Sequence, residues 1–95
     1  MDQKMMKSVD RRLARAEGQI RGIRKMIDGG EYCMDILVQI NAARSALDKA
    51  GAELVAGHIE SCIVGHDGEN PHPQAQKMST DELINELRDH LAKLF

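Results

Sequence analysis

Aromatic side chains are nearly absent from this chain of 95 residues, which has no Trp, one Tyr and one Phe. Aliphatic and Met side chains must therefore supply nearly all of the packing, a composition that suits helix bundles. There is also no strand alternation, internal repeat or low-complexity tract, so we predict an all-α fold. No nucleophile–base pair, phosphate-binding loop or paired carboxylate constellation stands out, which argues against an enzyme.

Long hydrophobic runs and targeting signals are missing as well. No stretch of about 18 apolar residues, signal peptide or lipidation motif is present, so we expect a cytoplasmic protein without a membrane partner. The chain has only two cysteines, and in the cytoplasm both would stay reduced. They would then be available as metal ligands or redox sensors instead of structural disulfides.

Apolar periodicity predicts one domain over residues 1–95, with helices at about 8–28, 31–64 and 80–93. The first follows a possible N-cap, Ser8, and ends at Gly29-Gly30, while the third follows the capping-box spacing Ser79 to Glu82. Gly, Asn and Pro residues mark 65–78 as a loop. Because one domain of this size has a modest core, we expect oligomerisation. The apolar stripe of the first helix consists of Val9, Leu13, Ala16, Ile20, Ile23 and Ile27.

Cys33 stands near the start of the long middle helix, and His58 and Cys62 stand near its end, four residues apart and thus on one face. At 1.5 Å per residue a continuous helix separates Cys33 from His58 by about 38 Å, so one chain cannot close a site alone. Two antiparallel copies, with a dyad near Ala46 and Leu47, would bring Cys33 of one beside His58 and Cys62 of the other. Four small residues would let these backbones approach: Ala42, Ala43, Ala46 and Ala50.

Two thiolates and one imidazole suit trigonal Cu(I) better than a closed tetrahedral zinc site. The competing interpretation of Cys33 alone is a small core residue. The other histidines, His66, His72 and His90, are less persuasive as ligands, and we expect solvated or helix-dipole roles for them.

Charge is distributed unevenly along the chain. Residues 1–27 hold eight Lys or Arg against three acidic residues, whereas the rest holds five basic and twelve acidic residues. A basic face on an otherwise acidic small protein would attract a phosphate backbone, and a multimer would repeat that face. The alternative is an ordinary solvated helix surface.

Three segments resemble the copper-sensitive operon repressors over nearly the whole chain. They are residues 12–23 (RLARAEGQIRGI), 31–42 (EYCMDILVQINA) and 57–62 (GHIESC). The resemblance implies a three-helix protomer, an antiparallel four-helix-bundle dimer that pairs into a tetramer, and binding to operator DNA that ends when the sensor site is filled.

Within that family, Cys33, His58 and Cys62 are similar to the ligands of the Cu(I)-sensing branch. Cys62 and the absence of an N-terminal His distinguish the chain from the nickel and cobalt sensors. Asp2 and Cys62 argue against the formaldehyde-sensing branch, and His58 argues against the persulfide-sensing branch.

The resemblance also implies residues around the ligands and at the DNA. Tyr32 and Glu82 match residues that surround the copper site, although Tyr32 has ordinary packing as its alternative. Arg12 and Lys49 match basic positions used for DNA, and Arg11 and Arg15 extend that region. No helix-turn-helix, zinc finger or basic zipper is present, so we expect shape and phosphate readout of double-stranded operator DNA.

These observations together predict a Cu(I)-responsive repressor. Two alternatives stay open, namely a repressor in which reactive sulfur species link Cys33 to Cys62 of a second copy, and a copper-buffering protein that does not bind DNA. The basic first helix argues against the buffer.

Overall fold

The computed structural model describes residues 2–94. Helix α1 spans Gln3–Asp28, and α2 spans Cys33–His58 and continues directly into a π-helical segment, Ile59–Val64. A short α3 at Pro73–Gln76 and the longer α4 at Thr80–Leu94 follow. No strand occurs within residues 2–94, so the predicted all-α fold is confirmed. Over the same residues, no helix combines the length and the apolar character needed to span a membrane.

The observed helices differ from the predicted ones at four places. α1 begins at Gln3 rather than residue 8, because Gln, Lys and Met are good helix formers and nothing before Ser8 interrupts them. The middle helix starts at Cys33 rather than residue 31, and its α-helical pattern ends at His58 rather than residue 64. The predicted loop 65–78 contains α3.

The chain divides into two compact units, which are described separately. The first is a helical hairpin, Lys4–Leu54, built from α1 and most of α2. The second is the C-terminal unit, which contains residues 55–94 together with residues 2 and 3.

The hairpin turns at Gly30. This residue has a φ of +64°, the left-handed conformation that Gly adopts without a Cβ penalty. Its N–H donates to the carbonyl of Ile27 at 3.1 Å, and the N–H of Glu31 donates to the carbonyl of Met26 at 3.0 Å. These are the two bonds of a Schellman motif, which ends α1 and reverses the chain in the four residues before α2.

Buried residues of the hairpin recur at intervals of seven, the spacing of a helix–helix seam. They are Val9, Ala16 and Ile23 in α1, and Ala43 and Ala50 in α2. Three of these five are Ala, so the seam is narrow and the two backbones can pack closely.

Large apolar residues form a second series of seven-residue spacing that is exposed. On α1 and α2 it comprises Met6, Leu13, Ile20, Ile27, Ile40, Leu47 and Leu54. The apolar stripe predicted for α1 therefore divides into two series. One is buried within the hairpin, and the other, which we call the open apolar series, is exposed to solvent in the single chain. Ala43 and Ala50, expected between two copies, are only 5% and 3% exposed in the single chain and are thus used in the hairpin seam.

The C-terminal unit has its own small core. Cys62, Ala75 and Leu83 are buried together, with Ile63 and Met78 packed against them. α4 begins with the predicted capping box, in which the N–H of Ser79 donates to Glu82 and the N–H of Glu82 donates to Ser79 Oγ, both at 3.1 Å. These interactions with Ser79 lower the pKa of the Glu82 carboxyl.

Candidate functional site

Cys33 is the first residue of α2 and carries a free, exposed thiol. The helix is initiated by the Tyr32 carbonyl, which accepts hydrogen bonds from the N–H groups of Asp35 and Ile36 at 3.0 and 3.2 Å. The Tyr32 side chain is 69% exposed, so within its own chain it does not have the ordinary packing role. Both side chains are therefore accessible to a ligand or a second chain.

His58 and Cys62 lie at the transition from α2 to the π-helical segment. His58 is the last residue of α2 and is half-buried, whereas Cys62 is a free thiol with 0% exposure. The N–H of Gly65 donates to the carbonyl of Glu60 at 3.0 Å, five residues back, which is the π-helical pattern. A Cβ on Gly65 would lie 3.0 Å from that same carbonyl oxygen, so glycine permits the closure. Such π turns occur frequently at functional sites.

A cleft of about 400 Å³ opens in the C-terminal unit beside His58. His72 and Met78 also line it, together with Ala75 and Leu83. Three of the lining residues, Ala75, Met78 and Leu83, belong to the cluster around Cys62. The buried thiol therefore lies behind the wall of this cleft.

Two histidines hold α3 in place. His66 Nε2 lies 3.1 Å from the Ala75 carbonyl oxygen and 2.6 Å from that of Met78; since carbonyls only accept, Nε2 carries a proton. His72 Nδ1 accepts the N–H of Gln74 at 3.1 Å and thereby caps α3. The expected solvated role is wrong for His66, which is half-buried, whereas His72 and His90 are exposed as expected and His72 caps α3 from that exposed position.

The described part of a single chain, residues 2–94, contains no group of three or more His, Cys, Asp or Glu side chains that could hold a metal ion. Cys33 belongs to the hairpin, and His58 and Cys62 belong to the C-terminal unit. The three predicted ligands are not brought into such a group by one chain.

The basic residues predicted to contact DNA are exposed on the hairpin, but Arg12 has a partner. Its Nε donates to Glu53 of α2 at 2.6 Å. Hydrogen bonds from Ser8 and then from Arg12 lower the pKa of the Glu53 carboxyl. Because only Nε is committed to this bond, the terminal guanidinium nitrogens of Arg12 are not engaged by Glu53.

Glu53 and Ser8 were missed by sequence reasoning. Ser8 was expected to cap a helix, yet it lies inside α1 and bonds to α2. A usable signal was the position of Glu53, an acidic residue one helical turn after Lys49 and thus on the same face as a predicted DNA contact. The predicted contacts Arg11, Arg15 and Lys49 are exposed.

Glu82, expected to surround the metal ligands, has a structural task in the C-terminal unit. Its carboxylate accepts the N–H of Ser79 and completes the capping box of α4. If Glu82 also interacts with a metal ligand, its carboxylate must do so while it accepts the Ser79 N–H.

Comparison with known proteins agrees with the sequence resemblance. The model of a family described as "Metal-sensitive transcriptional repressor" matches residues 5–93. The copper-sensing transcriptional repressor CsoR of Bacillus subtilis is 42% identical over 55 residues, 58% of this chain and 54% of that protein. The copper-sensing transcriptional repressor RicR of Mycobacterium tuberculosis is 45% identical over 53 residues, 56% of this chain and 55% of that protein. The matched part thus spans about half the length of these curated relatives.

Solved structures are similar over more of the chain. The copper-sensing repressor CsoR with Cu(I) from Geobacillus thermodenitrificans has a TM-score of 0.81 at 31% identity, covering 99% of this chain and 90% of that one. A variant of the formaldehyde-responsive regulator FrmR from Salmonella enterica has a TM-score of 0.70 at 26% identity, covering 93% of this chain and 96% of that one. The matching sequence model and the shared fold lead to one conclusion: this chain belongs to the family of metal-sensitive transcriptional repressors.

Proposed function

We propose that this protein is a cytoplasmic Cu(I)-responsive repressor that binds operator DNA as a metal-free homotetramer and releases it when Cu(I) binds. The observation that carries the repressor assignment is the family match over residues 5–93. The choice of metal rests on the donor set, because two free thiols and an imidazole suit a soft monovalent ion. The copper-sensing names of the relatives agree with that choice.

We propose that the ligands act across subunits, with Cys33 from one copy and His58 and Cys62 from another. The two ligand groups belong to different compact units of the chain, and Cys33 is exposed at the start of α2. In an antiparallel pair of chains, the start of one α2 lies beside the end of the other. Cu(I) would be held there by two thiolates and one imidazole.

The open apolar series of the hairpin supports this pairing. Leu13 and Ile20 on α1 and Ile40 and Leu47 on α2 are all between 44% and 46% exposed in the single chain. Their seven-residue spacing is that of a bundle seam, and it runs along both helices of the hairpin. A second hairpin would cover this face and complete a four-helix bundle. We propose that two such dimers pair into a tetramer, as the resemblance to the family implies.

The DNA face in this proposal is the basic surface of the hairpin. Arg11, Arg12 and Arg15 lie on α1, and Lys49 lies on α2 one turn from Glu53. Arg12 is held by Glu53 through Nε, which leaves its terminal nitrogens for a phosphate oxygen. These residues would position the protein on the duplex, and DNA shape would supply much of the specificity.

Release of DNA would follow from a difference in affinity between two conformations, one of which binds metal better. His58 is a suitable coupling residue, because the second nitrogen of a ligating imidazole bonds to a neighbouring group. Tyr32 and Glu82 are the proposed neighbours. We expect His58→Ala to lose less Cu(I) affinity than either Cys variant but more of the DNA response.

A DNA-binding titration of the anaerobic, reduced protein with and without Cu(I) tests the proposal. The probe is a duplex enriched by the metal-free protein from a random-sequence library, measured by fluorescence anisotropy. One Cu(I) per chain should weaken binding by roughly 5- to 150-fold, the usual range of allosteric coupling. Cys33→Ala and Cys62→Ala should still bind the duplex but should not release it.

Mixed dimers provide the matched control for the intersubunit site. A Cys33→Ala chain paired with a Cys62→Ala chain retains one interface with all three ligands, so one Cu(I) site should be recovered. Failure to recover it would refute the antiparallel arrangement. Release by a persulfide donor but not by Cu(I) would favour the dithiol alternative, and Cu(I) binding without enrichment of any duplex would favour the copper buffer.

A further inference from the structure

A metal ion in solvent cannot reach the proposed ligand Cys62 directly. Its side chain is already fully buried in a single chain, and assembly cannot expose it without a change of conformation. Cys33 in contrast is exposed. An ion approaching from solvent therefore reaches Cys62 only through the residues that cover it, and Ala75, Met78 and Leu83 belong to that cover.

The cleft outside this cover carries donors suited to Cu(I). Met78 supplies a thioether, and His58 and His72 supply imidazoles. Thioether sulfur is a soft donor, and imidazole also binds copper. Met78 both lines the cleft and packs against the cluster around Cys62, so its side chain spans the distance from the cleft to the neighbourhood of the thiol.

We propose that this cleft is a Cu(I)-loading site, in which His58, His72 and Met78 take the ion from solvent before it passes to Cys62. The inference rests on the proposed copper chemistry of the protein. It adds two residues, His72 and Met78, and it needs only one chain, because all three donors lie in the C-terminal unit.

Binding at His72 would also loosen the cover. His72 Nδ1 accepts the Gln74 N–H, so in the neutral ring the proton is on Nε2. A metal ion at Nε2 takes the lone pair there, and the single ring proton of a neutral imidazole then resides on Nδ1. A protonated Nδ1 cannot accept from Gln74, so the cap of α3 is lost. The four-residue helix that carries Ala75 is then held mainly by His66, through the carbonyls of Ala75 and Met78.

The first test measures the loading site without the intersubunit ligands. A Cys33→Ser/Cys62→Ser protein is given anaerobic Cu(I) in competition with a Cu(I) chelator. We expect one weakly held Cu(I) per chain, with sulfur and nitrogen ligands in X-ray absorption. Adding His72→Asn or Met78→Leu, which preserve the cap and the side-chain volume respectively, should abolish it. No retained Cu(I), or retention that both changes leave intact, would overturn the proposal.

The second test measures the cover in a Cys33→Ser background, using N-ethylmaleimide to alkylate Cys62 in the absence of metal. Loss of an N-cap corresponds to about a fivefold larger open population, so His72→Ala should be alkylated about five times faster. His72→Asn should match the parent, because Asn caps as well as any residue. Equal rates for the Ala and Asn variants would overturn the capping step.

These outcomes are separable from failure of the repressor proposal. Neither test uses DNA or requires the intersubunit site. A protein that enriches no duplex could still load Cu(I) in the cleft, and a working repressor could still fail both tests.

Discussion

Two glycines of the hairpin allow a test of whether Gly30 is required for its left-handed backbone conformation. Gly22 lies inside α1, and Gly30 closes the hairpin with a φ of +64°. A Cβ built on either residue meets no heavy atom within 4 Å beyond its immediate surroundings. The same change to Ala therefore adds no clash at either site, and only the backbone conformation distinguishes them.

We expect the two substitutions to have opposite effects. At Gly22, Ala restores helix propensity and stabilises the fold by about 1 kcal/mol. At Gly30, Ala must adopt the left-handed conformation, which costs about 1–2 kcal/mol, partly offset by a less flexible unfolded chain. The two variants should thus differ by about 2 kcal/mol in free energy of unfolding, or about 8–16 °C in Tm for a domain of this size.

The assay is urea and thermal unfolding followed by circular dichroism, at one fixed chain concentration because assembly contributes to stability. Gly30→Asn is the matched control, and it should lose less than Gly30→Ala because Asn tolerates the left-handed region. Changes of the same sign at Gly22 and Gly30, or a difference below about 0.5 kcal/mol, would refute the assignment of strain to Gly30.

Three other changes test different parts of the structure. Because its bonds to Ser79 lower the pKa of Glu82 from the ordinary 4.5, the stabilisation of α4 is complete above that value and is lost as the pH falls below it. Circular dichroism from pH 6 to 2 should show this loss, and Glu82→Gln should reduce the pH dependence. Ile20→Lys on the open apolar series should shift sedimentation toward smaller species without loss of helix; an unchanged assembly would move the interface elsewhere. Ala16→Leu in the narrow seam should destabilise by about 1–3 kcal/mol in urea, and a neutral effect would mean that the seam has spare volume.

Local chemistry made parts of the fold predictable. The capping box at Ser79 and Glu82 and the stop at Gly30 depend on residues a few positions apart, so the sequence contains the whole signal. α3 also had a local signal, since Pro73 stands at its first position after a capping His72. The Gly, Asn and Pro residues around Pro73 nevertheless predict a loop, and a helix of four residues is too short to show an apolar period against that prediction.

Other features depend on distant partners and could not be predicted in this way. Periodicity shows which side of α1 is apolar, but it does not show that Ala16 faces α2 while Ile20 stays open. Serine is a residue type that is preferred at N-caps, so the sequence around Ser8 predicts a cap. Only the packing of α1 against α2 brings Ser8 to Glu53.

The candidate ligands could be named from residue type and spacing, and they stay a prediction. The burial of Cys62 and the bonds that hold its cover arise from the return of the chain through α3. No apolar periodicity in residues 65–78 predicts that α3 packs back against the segment that carries Cys62.

Within the C-terminal unit, the π-helical segment sets which side chains are buried. Gly57 and Cys62, five residues apart, are both buried, whereas Val64, seven residues after Gly57, is 80% exposed. Each residue advances an α-helix by about 100°, so removing one residue from this segment would turn everything beyond it by about that angle. Point substitutions at Ile59, Glu60 or Ser61 should therefore be tolerated far better than deletion of one of them, which would turn Cys62 away from the residues that cover it.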